Sequence, residues 1–189
     1  MPETEQPREV ALFGGSFDPP HVGHLLAAAY VLATEPVDEL WLVPVREHPL
    51  GKKLSAPFDH RVALCEAALR SVGLDARARV SRVEEEVGGE GRTADLLEHL
   101  HRTRPGTRWA LVIGADLLAE RPQWKRFERI AELSRVVVLG RQGFPSDRTA
   151  VLPEVSSTQV RALLKSGGDV SHLVPRAVRD LIRAAGTYR

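Results

Sequence analysis

Short apolar runs alternate with longer amphipathic runs along almost the whole chain. Val10-Ala11-Leu12-Phe13 is apolar at every position and stops at Gly14-Gly15, the pattern of a buried strand. A helical spacing follows from about Gly23 to Thr34 and ends ahead of Pro36. Leu40-Trp41-Leu42-Val43 predicts a second strand, closed by Pro44. Beyond the loop from Arg46 to Ala56, the spacing predicts a helix from about Phe58 to Ser71, stopped at Gly73. Arg79-Val80-Ser81-Arg82-Val83 alternates weakly, as an edge strand would.

Thr93 to His101 again has helical spacing and breaks at Pro105-Gly106. Trp109-Ala110-Leu111-Val112-Ile113 and Val136-Val137-Val138-Leu139 are continuous apolar strands, each followed by a glycine, Gly114 and Gly140. Strands that are apolar on both faces and separated by helices belong in a parallel sheet covered on both sides. The expected fold is therefore α/β, doubly wound and Rossmann-like, with a mostly parallel sheet and helices on both faces. No internal repeat, low-complexity segment or linker composition divides the chain, so residues 1–189 read as a single domain.

Composition bears on function more than on fold. Hydrophobic residues make up 43% of 189, enough for one substantial core, and 27% are charged. Against 25 acidic residues stand 26 basic ones, a net charge of +1. Nucleic-acid binders usually concentrate a larger basic excess, so nucleic acid is not an expected partner. Any anion must be recognised by local placement. Cys65 is the only cysteine, which excludes an internal disulfide and a cysteine metal cluster; beside Leu64 and Ala67 it reads as a buried apolar residue. The longest apolar run, Leu25 to Ala33, is far short of a membrane span, and Met1 to Glu9 is polar and acidic with no signal-peptide core. The expectation is a cytoplasmic protein without a membrane partner. Periodicity leaves a homo-oligomer open.

The most informative stretch runs Gly14-Gly15-Ser16-Phe17-Asp18-Pro19-Pro20-His21-Val22-Gly23-His24. It joins the first strand to the first helix, where open α/β sheets bind ligands. Gly14 and Gly15 permit close approach of backbone to a ligand and present amides. His21 and His24, three apart at a helix start, share a face and add ring donors to the unpaired amides and the positive dipole end. Gly23 removes a side chain between them. Together these make a phosphate cradle without a Walker lysine. A glycine turn with two surface histidines is the plainer alternative.

Ser156-Ser157-Thr158-Gln159-Val160-Arg161 is the second such stretch. Ser156 or Ser157 is placed to cap a helix that runs through Leu163 and Leu164 to Gly167-Gly168. Arg161, one turn in, offers a guanidinium suited to bidentate phosphate contact. By itself the segment reads equally well as a capped helix or as a second phosphate site.

The first stretch resembles the GGxFDPxHxGH motif of the nucleotidyltransferase superfamily, and Ser156-Ser157-Thr158-Gln159-Val160-Arg161 resembles its SSTxVR signature, in the same order. Ile113-Gly114-Ala115-Asp116-Leu117-Leu118 is similar to the IGxDxL segment of the bacterial nicotinate mononucleotide adenylyltransferases. The run from Trp124 to Ile130, the turn from Leu139 to Pro145, and the stretch from Leu173 to Arg189 also resemble that family. Two segments differ from its usual pattern: Glu47-His48-Pro49-Leu50-Gly51-Lys52-Lys53 stands where PPHK is usual, and Gly91-Arg92-Thr93-Ala94-Asp95-Leu96-Leu97 where SYTxxTL is usual. Both lie near the acceptor or phosphates in that family, so nicotinate against nicotinamide mononucleotide stays open.

The resemblance implies attack of a mononucleotide phosphate on the α-phosphorus of ATP, giving a dinucleotide and pyrophosphate in NAD biosynthesis. A phosphate is already nucleophilic at neutral pH, so alignment and charge neutralisation suffice. His21 and His24 would hold the triphosphate and the developing charge, with backbone amides near Ser16 and Phe17 at the α-phosphate and Gly14 and Gly15 binding substrate beside them. Ser157, Thr158 and Arg161 would hold the departing β- and γ-phosphates. Mg²⁺ is expected to arrive on the ATP with few protein ligands. Gly114 and Asp116 would bind the nucleotide, although Asp116 also suits a helix N-cap, and Thr93 lies in an acceptor segment. Trp124 would stack on a pyridine ring, or else pack in the core, with the Lys125 amide near the ring's carboxylate. Lys53, or Lys52, would add a mobile charge or simply be solvated. His48, His99, His101 and His172 read as surface residues.

Two other readings compete. One is a sister transferase such as pantetheine-phosphate adenylyltransferase or a cytidylyltransferase, separable by a substrate panel. The other is a catalytically silent nucleotide-binding module, against which intact His21, His24 and Arg161 argue and which turnover excludes.

Overall fold

The computed structural model describes residues 8–47, 51, 53–87, 92–115, 126–141 and 151–189. The elements follow in chain order as β1 (Glu9–Gly15), α1 (Val22–Thr34), β2 (Glu39–Pro44), α2 (Phe58–Ser71), β3 (Ala78–Val80), α3 (Val83–Val87) and α4 (Thr93–Thr103). After these come β4 (Arg108–Gly114), α5 (Phe127–Leu133), β5 (Arg135–Arg141), β6 (Val151–Leu152), α6 (Ser157–Lys165) and α7 (Arg176–Ala185). The strands form one six-stranded sheet in the order β3-β2-β1-β4-β5-β6, every pair parallel. The expected doubly wound α/β fold is the one observed.

Alternation along the strands divides the interior into two cores. Ala11, Leu40, Leu42, Ala110, Val112, Val137 and Leu139 point to the face covered by α1, α2, α6 and α7. Val10, Leu12, Trp41, Val43, Trp109, Leu111 and Ile113 point to the other, where Val83, Leu97, Leu100 and Ile130 of α3, α4 and α5 meet them. A strand flanked on both faces has no room for polar alternation, which is why the apolar runs are continuous. The chain winds outward from β1 through β2 to β3, then returns to β4 on its other side. That reversal opens a crevice at the carboxyl ends of β1 and β4, the place where such sheets take ligands.

Punctuation residues set the helix ends. Pro57 precedes α2, while Gly73, at φ +69°, turns the chain just past it. Pro175 precedes α7, and Gly186 closes it in the left-handed region. The weakly alternating stretch divides differently from expectation. Only Ala78–Val80 pairs as an edge strand, and Val83, expected at the strand's end, instead opens α3. Val83 reaches the core from that helix, whose first turn carries Glu84, Glu85 and Glu86, where carboxylates favour the helix dipole.

Candidate active site

β1 delivers Gly14 and Gly15 to the carboxyl edge of the sheet, in register with Val43 and Pro44 of β2. A turn from Ser16 to Pro20 then leads into α1, whose N-cap is His21. The glycines have different reasons to be there. A Cβ on Gly15 would stand 3.1 Å from the Phe17 ring, and one on Gly23 would stand 3.1 Å from the His21 ring, whereas one on Gly14 would meet open space. Gly15 and Gly23 thus make room for packed rings, and Gly14 leaves room at the crevice.

Those rings form a small stack. His21 and His24 lie face to face with centroids 3.8 Å apart, and Phe17 tilts against His24 at 4.8 Å. The His21 backbone N–H donates to His24 Nδ1 at 3.2 Å. A neutral imidazole that accepts on Nδ1 carries its proton on Nε2, so this contact fixes His24 as an Nε2–H donor. Phe17 sits at φ 45°, a left-handed conformation that costs a non-glycine residue about 1–3 kcal/mol. Its ring is fully buried and edge-on to Phe13, and that packing holds the strained backbone in place.

Asp18 and Arg61 anchor the turn from beneath. The Asp18 carboxylate, buried, accepts the Ser55 amide at 2.6 Å, the Ala56 amide at 3.1 Å and the Tyr188 hydroxyl at 2.8 Å. The peptide bond it forms with Pro19 is cis. Arg61, in the first turn of α2 and 1% exposed, spreads its guanidinium over three carbonyls: Ser16 at 2.7 Å, Val45 at 2.7 Å and Ala56 at 3.2 Å. Burial pulls its pKa down, and the neighbouring Asp18 charge opposes that shift. Without Arg61 those carbonyls would be stranded, at about 1–3 kcal/mol for each one left buried and unmet. Sequence reading passed over both residues. The available signal was a charge on an apolar stripe: Arg61, Cys65 and Ala68 share one buried face of α2, and a buried charge must be partnered.

α6 approaches from the far side. Ser156 caps it, its Oγ accepting the Gln159 amide at 3.1 Å. Ser157 Oγ donates to the Pro19 carbonyl at 2.9 Å, and Arg161 Nη1 donates to the Asp18 carbonyl at 2.6 Å. Arg161 Nη2 also donates to Thr158 Oγ1 at 3.2 Å. Gly14, Gly15, Ser16, Phe17, His21, His24, Ser157, Thr158 and Arg161 therefore converge on one turn, although the two segments lie more than a hundred residues apart. Gly114 ends β4 at the same edge of the sheet. Lys53 is exposed in the loop that supplies the Ser55 and Ala56 amides. Thr93 heads α4, whose apolar side chains pack on the opposite face. Asp116, Trp124, Lys125, His48 and Lys52 lie outside the described residues. His99 pairs with Glu86 and His101 with the Leu133 carbonyl; His101 and His172 are exposed, whereas His99 is half-buried.

Cys65 is buried, and burial pushes its thiol pKa far up, so it serves as a packing residue. No group of three or more His, Cys, Asp or Glu side chains among the described residues is arranged to hold a metal ion. No helix among them is long and apolar enough to cross a membrane.

The cytidylyltransferase-like family model matches residues 12–163. A Myxococcus xanthus protein named "Probable nicotinate-nucleotide adenylyltransferase" is 50% identical over 182 residues, covering 95% of this chain and 94% of its own length. A Thermus thermophilus protein of the same name is 37% identical over 188 residues, covering 95% and 99%. Among solved structures, a Plasmodium falciparum nicotinic acid mononucleotide adenylyltransferase complexed with NaAD superposes with a TM-score of 0.81 over 96% of this chain and 97% of that one. At 18% identity that likeness speaks to the fold.

Proposed function

The chain belongs to the cytidylyltransferase-like family and, within it, to the nicotinate-nucleotide adenylyltransferases, and on that footing we propose how its two helix starts divide the work of adenylyl transfer. The reaction joins the phosphate of nicotinate mononucleotide to the α-phosphorus of ATP, forming the dinucleotide and releasing pyrophosphate. What supports this division is the convergence of both helix starts on the turn between β1 and α1, tied by Ser157 to Pro19 and by Arg161 to Asp18.

The nucleophile needs no activation beyond alignment, because a phosphate oxygen is anionic at neutral pH. His24, as an Nε2–H donor, and His21 beside it stabilise the charge that builds on the transferring phosphoryl group. The amides of the turn, near Ser16 and Phe17, lie along the α-phosphate, with Gly14 and Gly114 giving the nucleotide close approach to the sheet edge. Ser157, Thr158 and Arg161 hold the β- and γ-phosphates as pyrophosphate leaves. Asp116 and Trp124 are assigned to ribose and pyridine ring on the family pattern alone, and Thr93 and Lys53 to the acceptor side.

Mg²⁺ carried by ATP would offset charge on the phosphates. The donor set fits an ion carried by substrate, since the Asp18 carboxylate in this turn is already engaged by Ser55, Ala56 and Tyr188.

The test is pyrophosphate release from ATP and Mg²⁺ with nicotinate mononucleotide, nicotinamide mononucleotide and phosphopantetheine as separate acceptors. The expected result is turnover with nicotinate mononucleotide at the highest kcat/KM. Preference for phosphopantetheine, or silence with all three, would overturn the assignment.

A further inference from the structure

Tyr188 stands 170 residues from Asp18, and its hydroxyl donates into the turn that the preceding reading treats as the phosphate cradle. The ring is 6% exposed and belongs to the same core cluster as α1 and α2. A tyrosine that only filled space there would bring a hydroxyl needing a partner, and its partner is the buried carboxylate of the cradle itself. Burial and the Asp18 charge push the phenol pKa well up, so the group stays protonated and remains a donor.

Several contacts fix the segment carrying it. Gly186 turns the chain after α7 at φ +65°, and Tyr188 itself sits at φ 63°. Thr187 Oγ1 lies 3.1 Å from His60 Nε2 on α2, one residue before Arg61. Upstream of α7, the Leu173 carbonyl accepts the Val22 amide at 2.8 Å, in the first turn of α1. Two non-glycine residues in the left-handed region, Phe17 and Tyr188, are thus linked through Asp18, and both are buried. Backbone held in a sparsely populated region persists only where its surroundings over-determine it.

We propose that Tyr188 is a positioning residue for adenylyl transfer: the segment after α7 is a latch that, through the Asp18 carboxylate, holds the Gly15–His21 turn in the shape the reaction needs. The proposal rests on the reading of that turn as the phosphate cradle. Tyr188 touches no substrate. Its hydroxyl sets where the Asp18 carboxylate sits, and that carboxylate ties the turn between β1 and α1 to the Ser55 and Ala56 amides.

Tyr188→Phe removes the hydroxyl and keeps the ring. With ATP, Mg²⁺ and nicotinate mononucleotide, at a temperature where the variant is fully folded, kcat is expected to fall about tenfold, since small misplacements at a reacting centre are costly. KM for the mononucleotide should change less than kcat, because Tyr188→Phe removes no group assigned to the acceptor. Amide hydrogen exchange at Ser55 and Ala56 should quicken. Ile182→Val, which trims the core face of α7 without reaching Asp18, serves as the comparison and should lower Tm while leaving kcat unchanged. Unaltered kcat in Tyr188→Phe would overturn the proposal, as would an equal loss of kcat in Ile182→Val. Should the unaltered protein fail to use any pyridine mononucleotide, the functional reading falls by itself. The latch is then judged by exchange at Ser55 and Ala56 and by Mg-ATP affinity: a change in Tyr188→Phe supports it, and no change sinks it.

Discussion

The two helix starts that meet at the Asp18 turn are built in opposite ways. At α1 the N-cap is a buried histidine, its ring stacked on a second, in a turn braced by Asp18 and Arg61. At α6 the N-cap is a serine that makes the ordinary bond to the amide three residues on, and Thr158 beside it is exposed. One start is held from beneath by the buried charged groups of Asp18 and Arg61. The other rests on it through two side-chain contacts. Rigid placement is worth most where charge appears only in the transition state, and adaptable placement suffices for a group that is bound and then released. The contrast supports the proposed division, with the chemistry at α1 and the leaving group at α6.

That division is breakable. His24→Ala should fold normally and lose on the order of 10²–10³ in kcat, as removal of one fixed charge-stabilising donor does. Near-normal turnover would remove α1 from the chemistry. Arg161→Ala should chiefly raise KM for ATP, by roughly tenfold or more, as loss of a bidentate phosphate contact would. A change confined to the mononucleotide's KM would place α6 on the acceptor instead. Ser157→Ala removes one neutral hydrogen bond, worth about 0.5–1.5 kcal/mol, and should cost severalfold at most in kcat/KM for ATP. A loss as large as that of His24→Ala would show that α6 is no mere support.

Much of the fold could be read from the chain because its buried strands are uninterrupted and its helices are punctuated. α2 runs from Phe58 to Ser71 as its spacing predicts, since Pro57 and Gly73 leave it no other limits. α7 escaped notice for the opposite reason: its core contact is the narrow pair Val178 and Ile182 among arginines and alanines. β6 is two residues long and exists as a strand only through pairing with β5. The site divides along the same line. The glycines and histidines are contiguous and carry their own signal. Asp18, Arg61 and Tyr188 matter through partners 5 to 170 residues away, and no local pattern names those partners.

The most direct test compares His24→Ala and Arg161→Ala in single-turnover adenylyl transfer at saturating ATP and nicotinate mononucleotide. Saturation should restore Arg161→Ala to within about tenfold of the unaltered protein while His24→Ala stays on the order of a hundredfold slower, the pattern of lost ground-state binding against lost transition-state stabilisation. Equal rates in the two variants would contradict the division between the two helix starts.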